Sequence, residues 1–327
     1  MLIKNPESRI DRIRGSGSFS FNKGLCSDRM DTINISDTLL LESGKSANVT
    51  VQGFKLFYRV FGNGDNVLLC LHGGPGGTLD YLLPLGKLGD DRIKVVLYDQ
   101  LGCGRSEKPK DTSLFCADYF VEEVEGMRRE LNLGKIDLMG SSWGGMLALL
   151  YALKYQRNIR KLITTGALVN VPQCVMEMNR LKTQLGNDVQ STLSRYERAW
   201  AFWHPEYLKA VDTYYRNFLC RMHPWPEEVT HTMNNISVPV YFTMWGPNEF
   251  TALGNLKDLD FTDRLPEIRV PTLITGGKYD EVTPTIAETI HKGMTQSEIK
   301  VFDKSAHLPM WEQQEEYLET VREFLLS

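Results

Sequence analysis

At 327 residues with 42% hydrophobic side chains, the chain has material for one large core, either a single α/β domain carrying an insertion or two modest domains. The net charge of −4 leaves no basic surplus, so nucleic-acid binding through phosphate contacts is not expected. No apolar run is long enough to span a bilayer.

The N-terminal stretch MLIKNPESRIDRIRGSGSFSF lacks the apolar core of a secretory signal. It is mildly basic and serine-bearing, as an organelle transit peptide would be, but Glu7 and Asp11 count against that and cytoplasmic residence is expected. Residues 1–48 carry little periodicity and read as a flexible extension. The six cysteines (Cys26, Cys70, Cys103, Cys116, Cys174, Cys220) show no C-x-x-C pair and no metal-ligand spacing, so free thiols in a reducing compartment are expected and no metal site. Glycosylation triplets at Asn34, Asn48 and Asn235 would be silent there.

From Val49 the pattern changes. VTVQGFKLFYRVFG alternates like an exposed strand, and NVLLCLHGGPGG is a short apolar run ending in glycines. IKVVLYDQLGCGRS and KIDLMGSSWGG repeat that plan, and NIRKLITTGAL and VPTLITGGKYDE extend it. Such runs, each ending in a Gly- or Asp-rich loop, mark buried parallel strands. Helical patterns separate them: FCADYFVEEVEGMRREL, GGMLALLYALKYQ, TPTIAETIHKGM with Pro284 in its first turn, and the amphipathic end WEQQEEYLETVREFLLS. The alternation predicts an α/β fold with a mostly parallel sheet and helices on both faces. It lapses between residues 172 and 265, a helical stretch rich in large aromatics, including Trp200, Trp203, Tyr214, Tyr215 and Trp245. That stretch reads as a cap inserted into a core made of residues 49–171 and 266–327.

Within MGSSWGG, Gly140 to Gly144 fit G-x-S-x-G with Ser142 at the centre. This motif sets a serine on a tight strand-to-helix turn, its hydroxyl lifted above the sheet and aimed at the next helix N-terminus. Ser141 fills the variable position. A glycine-rich turn that merely packs a helix on a strand would look the same, but here a strand does precede and a helix does follow. An α/β-hydrolase would then need an acid and a histidine further on, in the order Ser, Asp or Glu, His. Asp280 ends the strand VPTLITGGKYD, and His307 follows the next strand-like run in VFDKSAHLPMW. His307 would deprotonate Ser142 while Asp280 held the other imidazole N–H. The remaining histidines fit less well: His72 in the first glycine loop, His204, His223 and His231 in the cap, His291 on a helix. The oxyanion of acyl transfer needs two N–H donors, expected from Trp143 and from Gly74 in HGGPGG. A plain turn and core packing are the ordinary roles of those two residues.

Taken together, HGGPGG, YDQLGCGRS, MGSSWGG, MWGPNEF, GKYDEVTP and SAHLPMWE resemble the proline iminopeptidase (prolyl aminopeptidase) family of α/β-hydrolases, in its branch of tricorn-interacting aminopeptidases. The likeness runs from about Val49 to the C-terminus. It implies a metal-free, cofactor-free serine aminopeptidase that releases an N-terminal residue, usually proline, from short peptides. It assigns the triad to Ser142, Asp280 and His307, and marks Glu249 and Glu281 as the carboxylates that hold the substrate's free amino group. From the residues alone, Glu249 reads as an exposed loop charge and Glu281 as an acid near a helix N-terminus. Cap aromatics could wall a pocket for an apolar first residue, but most are expected to be cap core. An esterase, lactonase or amino-acid amidase on the same fold is the main alternative, and a ligand-binding protein without catalysis the second.

Overall fold

The computed structural model describes residues 44–327. The expected extension lies outside the described residues as far as position 43, together with Cys26 and Asn34. Its last residues do not belong to it: strand β1 runs from Lys45 to Val51, pairing with β2 (Phe54–Phe61). β1 is an edge strand whose first four residues are exposed, so KSAN carries none of the apolar alternation that betrays a buried strand. The single exposed strand expected over Val49–Gly62 is therefore a hairpin. Its turn is Gln52-Gly53, with φ of 50° and 88°; positive φ at both positions is what a two-residue hairpin turn requires.

The other strands are β3 (Asn66–Leu71), β4 (Ile93–Tyr98), β5 (Ile136–Ser141), β6 (Ile159–Thr165), β7 (Thr272–Gly277) and β8 (Ser297–Phe302). They form one eight-stranded sheet in the order β1-β2-β4-β3-β5-β6-β7-β8, antiparallel across β1, β2 and β4 and parallel from β4 to β8. Successive side chains of a strand point to opposite faces, and in β3 to β7 both faces are buried. Leu69, Leu71, Val96, Leu138, Leu162 and Ile274 enter one core; Leu68, Cys70, Val95, Met139, Ile163 and Leu273 enter the other.

Helices α1 (Ala117–Glu130) and α2 (Trp143–Tyr155) contribute to the first core. The helical segment Leu79–Leu88 and the C-terminal helix contribute to the second. α2 is buried over most of its surface, which is why its sequence is almost wholly apolar and small. Between β6 and β7 lie five helices and no strand of the sheet: α3 (Val171–Lys182), α4 (Asn187–Arg198), α5 (Pro205–Phe218), α6 (Glu227–Asn234) and α7 (Val238–Met244). α8 (Pro284–Gly293) follows β7 with Pro284 in its first turn, and the closing segment breaks into α9 (Pro309–Glu312) and α10 (Gln314–Leu326). Among the described residues, Cys70, Cys103, Cys116, Cys174 and Cys220 are free thiols, no His, Cys, Asp and Glu cluster could hold a metal, and no helix is long and apolar enough to cross a membrane.

Candidate active site

Parallel strands deliver their C-terminal loops to one edge of the sheet, and the site is assembled there. Ser142 stands between β5 and α2 with φ 59° and ψ −125°, a backbone state that costs a non-glycine residue on the order of 1–3 kcal/mol. Surrounding bonds over-determine it. The Ser142 N–H donates to the Thr165 carbonyl at 2.8 Å, and the Gly145 and Met146 N–H groups donate to the Ser142 carbonyl at 2.8 and 3.1 Å. The small neighbours are sterically required: a Cβ on Gly140 would collide with the Gly144 carbonyl, and one on Gly144 with the Leu71 carbonyl.

His307 and Asp280 meet across β7 and β8. The imidazole donates from Nδ1 to Asp280 Oδ1 at 2.6 Å, and the same oxygen accepts the Val282 N–H at 2.7 Å. Both side chains are buried. Burial works to lower the imidazole pKa, but the charges of Asp280, Glu249 and Glu312 outweigh it and the net shift is upward. Gly166, just beyond β6, has φ 55°, and a Cβ there would lie 2.6 Å from His307 Cε1 and 2.7 Å from Nδ1. Nothing in the sequence pattern singled that glycine out.

Ser142, His307, Gly74, Glu249 and Glu281 line one cavity of about 60 Å³; Asp280 stands behind His307. Glu249 is not an exposed loop charge. It is half-buried, accepts the Tyr241 hydroxyl at 2.8 Å, and burial pushes its carboxyl up to about 7 against the pull of Tyr241 and His307. Glu281 is 1% exposed, and its Oε2 has no hydrogen-bond partner among the described residues. Burial first, then the charges of Glu249 and Asp280, hold it well above the carboxylate range. Two desolvated carboxyls facing one cavity that no lysine or arginine among the described residues lines are costly, so the arrangement is suited to a ligand that brings its own positive charge.

The backbone N–H groups of Gly74 and Trp143 have no acceptor among the described residues. Gln100 connects their two segments, a role that sequence reading did not assign. Its amide Nε2–H donates to the His72 carbonyl at 2.7 Å, its backbone N–H donates to His72 Nε2 at 3.0 Å, and its Oε1 accepts the Trp143 indole N–H at 2.9 Å. His72, with Nδ1 donating to the Gly73 carbonyl at 2.9 Å, is thus a neutral buried turn element.

The insertion closes the cavity with Leu219, Val229, Thr232, Met233 and Ile236. These are aliphatic or small. Of the insertion's aromatics, Tyr207, Tyr214, Tyr215, Phe218, Tyr241 and Trp245 are buried, and Trp200 and Trp203 are exposed. The insertion is stitched to the site loops through main chain: Glu281 N–H donates to the Phe218 carbonyl at 3.0 Å and His307 N–H to the Leu219 carbonyl at 3.1 Å.

A mostly parallel sheet with a strained serine turn after β5, an acid after β7 and a histidine after β8 defines an α/β-hydrolase. The family model described as alpha/beta hydrolase fold matches residues 66–314. A proline iminopeptidase of Saccharolobus solfataricus is 45% identical over 287 residues, which span 87% of this chain and 92% of that protein. Among solved structures, VinJ superposes with TM-score 0.82 at 34% identity, covering 86% of this chain and 98% of its own. The proline iminopeptidase of Mycobacterium smegmatis superposes with TM-score 0.81 at 29% identity, covering 86% and 97%. The chain belongs to the proline iminopeptidase family of α/β-hydrolases.

Proposed function

We propose that the protein is a serine aminopeptidase that releases N-terminal proline, and other small apolar first residues, from short peptides. The observation that carries this reading is the pair Glu249 and Glu281, two desolvated carboxyls on the same small cavity as Ser142 and His307. A protonated amine between them would offset their burial and set the scissile carbonyl one residue from the chain end, over Ser142. His307 would take the Ser142 proton as the hydroxyl attacks that carbonyl, with Asp280 steadying the imidazolium. The free N–H groups of Trp143 and Gly74 would hold the tetrahedral oxyanion. On collapse the leaving amine would take the proton from His307, and water would then release the acyl group by the same steps in reverse order of partners. The helical insertion, residues 172–265, would act as the cap that limits the cavity to a residue-sized group.

The test is a panel of aminoacyl arylamides, each with a free or an acetylated amine, run on wild type and Ser142→Ala. Proline arylamide should be cleaved by wild type, its acetylated form should not, and Ser142→Ala should cleave neither. Equal rates on free and acetylated substrates would replace the aminopeptidase reading with that of a general esterase or amidase. Ligand binding without turnover of any acyl substrate would leave a binding protein.

A further inference from the structure

The loop His72–Gly77 approaches the nucleophile closely enough that a Cβ on Gly73 would lie 2.8 Å from Ser142 Cβ. Two N–H groups of this loop are neighbours, on Gly73 and Gly74, and they are not equivalent. The Gly73 N–H is engaged: it donates to the Tyr81 hydroxyl at 2.7 Å. The Gly74 N–H has no acceptor among the described residues. Tyr81 belongs to the helical segment after the loop, is 6% exposed, and lines the cavity. It is fixed from behind as well, because the Trp311 indole donates to the Tyr81 carbonyl at 2.7 Å. Burial pushes its hydroxyl up to about 12, so the group is neutral at neutral pH. Ser141, the other serine of the elbow, lies close enough to Tyr81 to temper that rise but makes no well-formed hydrogen bond of its own.

We propose that Tyr81 is a positioning residue of the oxyanion site: its hydroxyl captures the Gly73 N–H, fixes that peptide against Ser142, and so leaves the Gly74 N–H as the loop's donor to the developing oxyanion. The proposal rests on the assignment of Gly74 and Trp143 under the proposed function. Its physical basis is preorganisation, since a donor aids the chemical step only if it is already aimed where charge develops. The glycines of this loop have no side chains of their own; His72 holds the Gly73 carbonyl from within the loop, and the tyrosine holds the Gly73 N–H from outside it.

Tyr81→Phe keeps the ring and the cavity wall and deletes only the hydroxyl that accepts the Gly73 N–H. Three quantities separate positioning from packing: kcat, KM, and the affinity for pyrrolidine-2-boronic acid, whose serine adduct imitates the tetrahedral species. With proline arylamide, kcat should fall about 10–100-fold, below the loss expected for deleting an oxyanion donor outright, with KM held within about twofold. Boronate affinity should fall by the same factor as kcat, and affinity for free proline should not change. Hydrolysis of p-nitrophenyl acetate should fall in parallel, since every acyl substrate needs the same oxyanion site. A kcat within twofold of wild type, or a joint loss of kcat, KM and proline affinity, overturns the proposal. If wild type cleaves the ester but not the arylamide, the aminopeptidase reading fails while the ester series still decides the role of Tyr81. A wild type inert toward both removes the oxyanion assignment and this proposal with it. Should Tyr81→Phe not fold, 3,5-difluorotyrosine at position 81 weakens the acceptor without removing it and should give a smaller loss of the same pattern; unchanged kcat there counts against the proposal equally.

Discussion

Gly166 lies against the ring of His307, with room for a hydrogen and no more: a Cβ would fall 2.6 Å from Cε1 and 3.0 Å from Asp280 Oδ2. Its φ of 55° is also one that side-chain-bearing residues adopt at a cost. Gly166→Ala should therefore displace the imidazole from the Asp280 bond. The expected result is a loss of kcat of about 100-fold or more with stability lowered by about 1–3 kcal/mol, read by steady-state kinetics and denaturant titration. An Ala variant with wild-type kcat would mean that the loop after β6 yields and that the His307–Asp280 pair is not held by it.

That contact was illegible in the sequence, and the reason separates what can be read from what cannot. Ser142, Asp280 and His307 are each tied to a local signal, a glycine-flanked serine or the end of an apolar run, and parallel strands bring such ends together whatever the rest of the chain does. Gly166, Tyr81 and Gln100 act on residues 8 to 141 positions away and carry no local pattern that names their partner. The Gln52-Gly53 turn was missed for a milder reason, since Asn-Gly or Asp-Gly is the usual hairpin sign and glutamine is not. The insertion's aromatics could not be sorted from the sequence because bulk suits a helical core as well as a pocket wall; the insertion's share of the wall is Leu219, Val229, Thr232, Met233 and Ile236. Glu249 and Glu281 were marked only through family likeness, because burial of a carboxyl leaves no trace in its neighbours.

Glu281 should weaken the fold at neutral pH. Its folded-state pKa lies well above the ordinary 4.5, so between pH 4.5 and that raised value the folded protein binds the extra proton. Stability from this group is therefore lost as pH rises through that window. Glu281→Gln removes the penalty and should raise the melting temperature at pH 8 by several degrees, at about 2–4 °C per kcal/mol, while the two proteins converge toward pH 4.5. The same change should depress turnover of free-amine substrates. A lower melting temperature at every pH would show that the carboxylate is paired in solution and that its burial is not uncompensated.

Glu312 joins the His307 loop to the insertion. Its carboxylate accepts the Arg221 N–H and the Ala306 N–H, each at 2.8 Å, and its charge is among those that raise the His307 pKa. Glu312→Gln removes that charge and leaves one backbone N–H without an acceptor, at about 1–3 kcal/mol of stability. The acid limb of kcat/KM on p-nitrophenyl acetate should move to lower pH, because an imidazole freed of a negative neighbour loses its proton earlier. A limb that stays in place would assign Glu312 to loop anchoring alone.

The proposed ammonium clamp would have its own pH signature, separable from that of His307. Glu249 is pushed up to about 7, so below that pH a proton occupies the oxygen that the substrate's ammonium needs. Above about 8 the substrate's own α-amino group loses its charge. KM for proline arylamide should therefore rise on both sides of a minimum between about pH 7 and 8. KM for p-nitrophenyl acetate, which has no amine, should stay flat while its kcat falls toward acid as His307 protonates. In Glu249→Gln the acid rise in KM for the arylamide should shrink to the part that Glu281 supplies, and kcat/KM for that substrate should fall about 10–100-fold, the value of one charged hydrogen bond. Progress curves on both substrates from pH 5.5 to 9 decide it. A KM for the arylamide that ignores pH in wild type would mean that neither carboxyl meets the amine, and the cavity would then have to recognise proline by its ring alone.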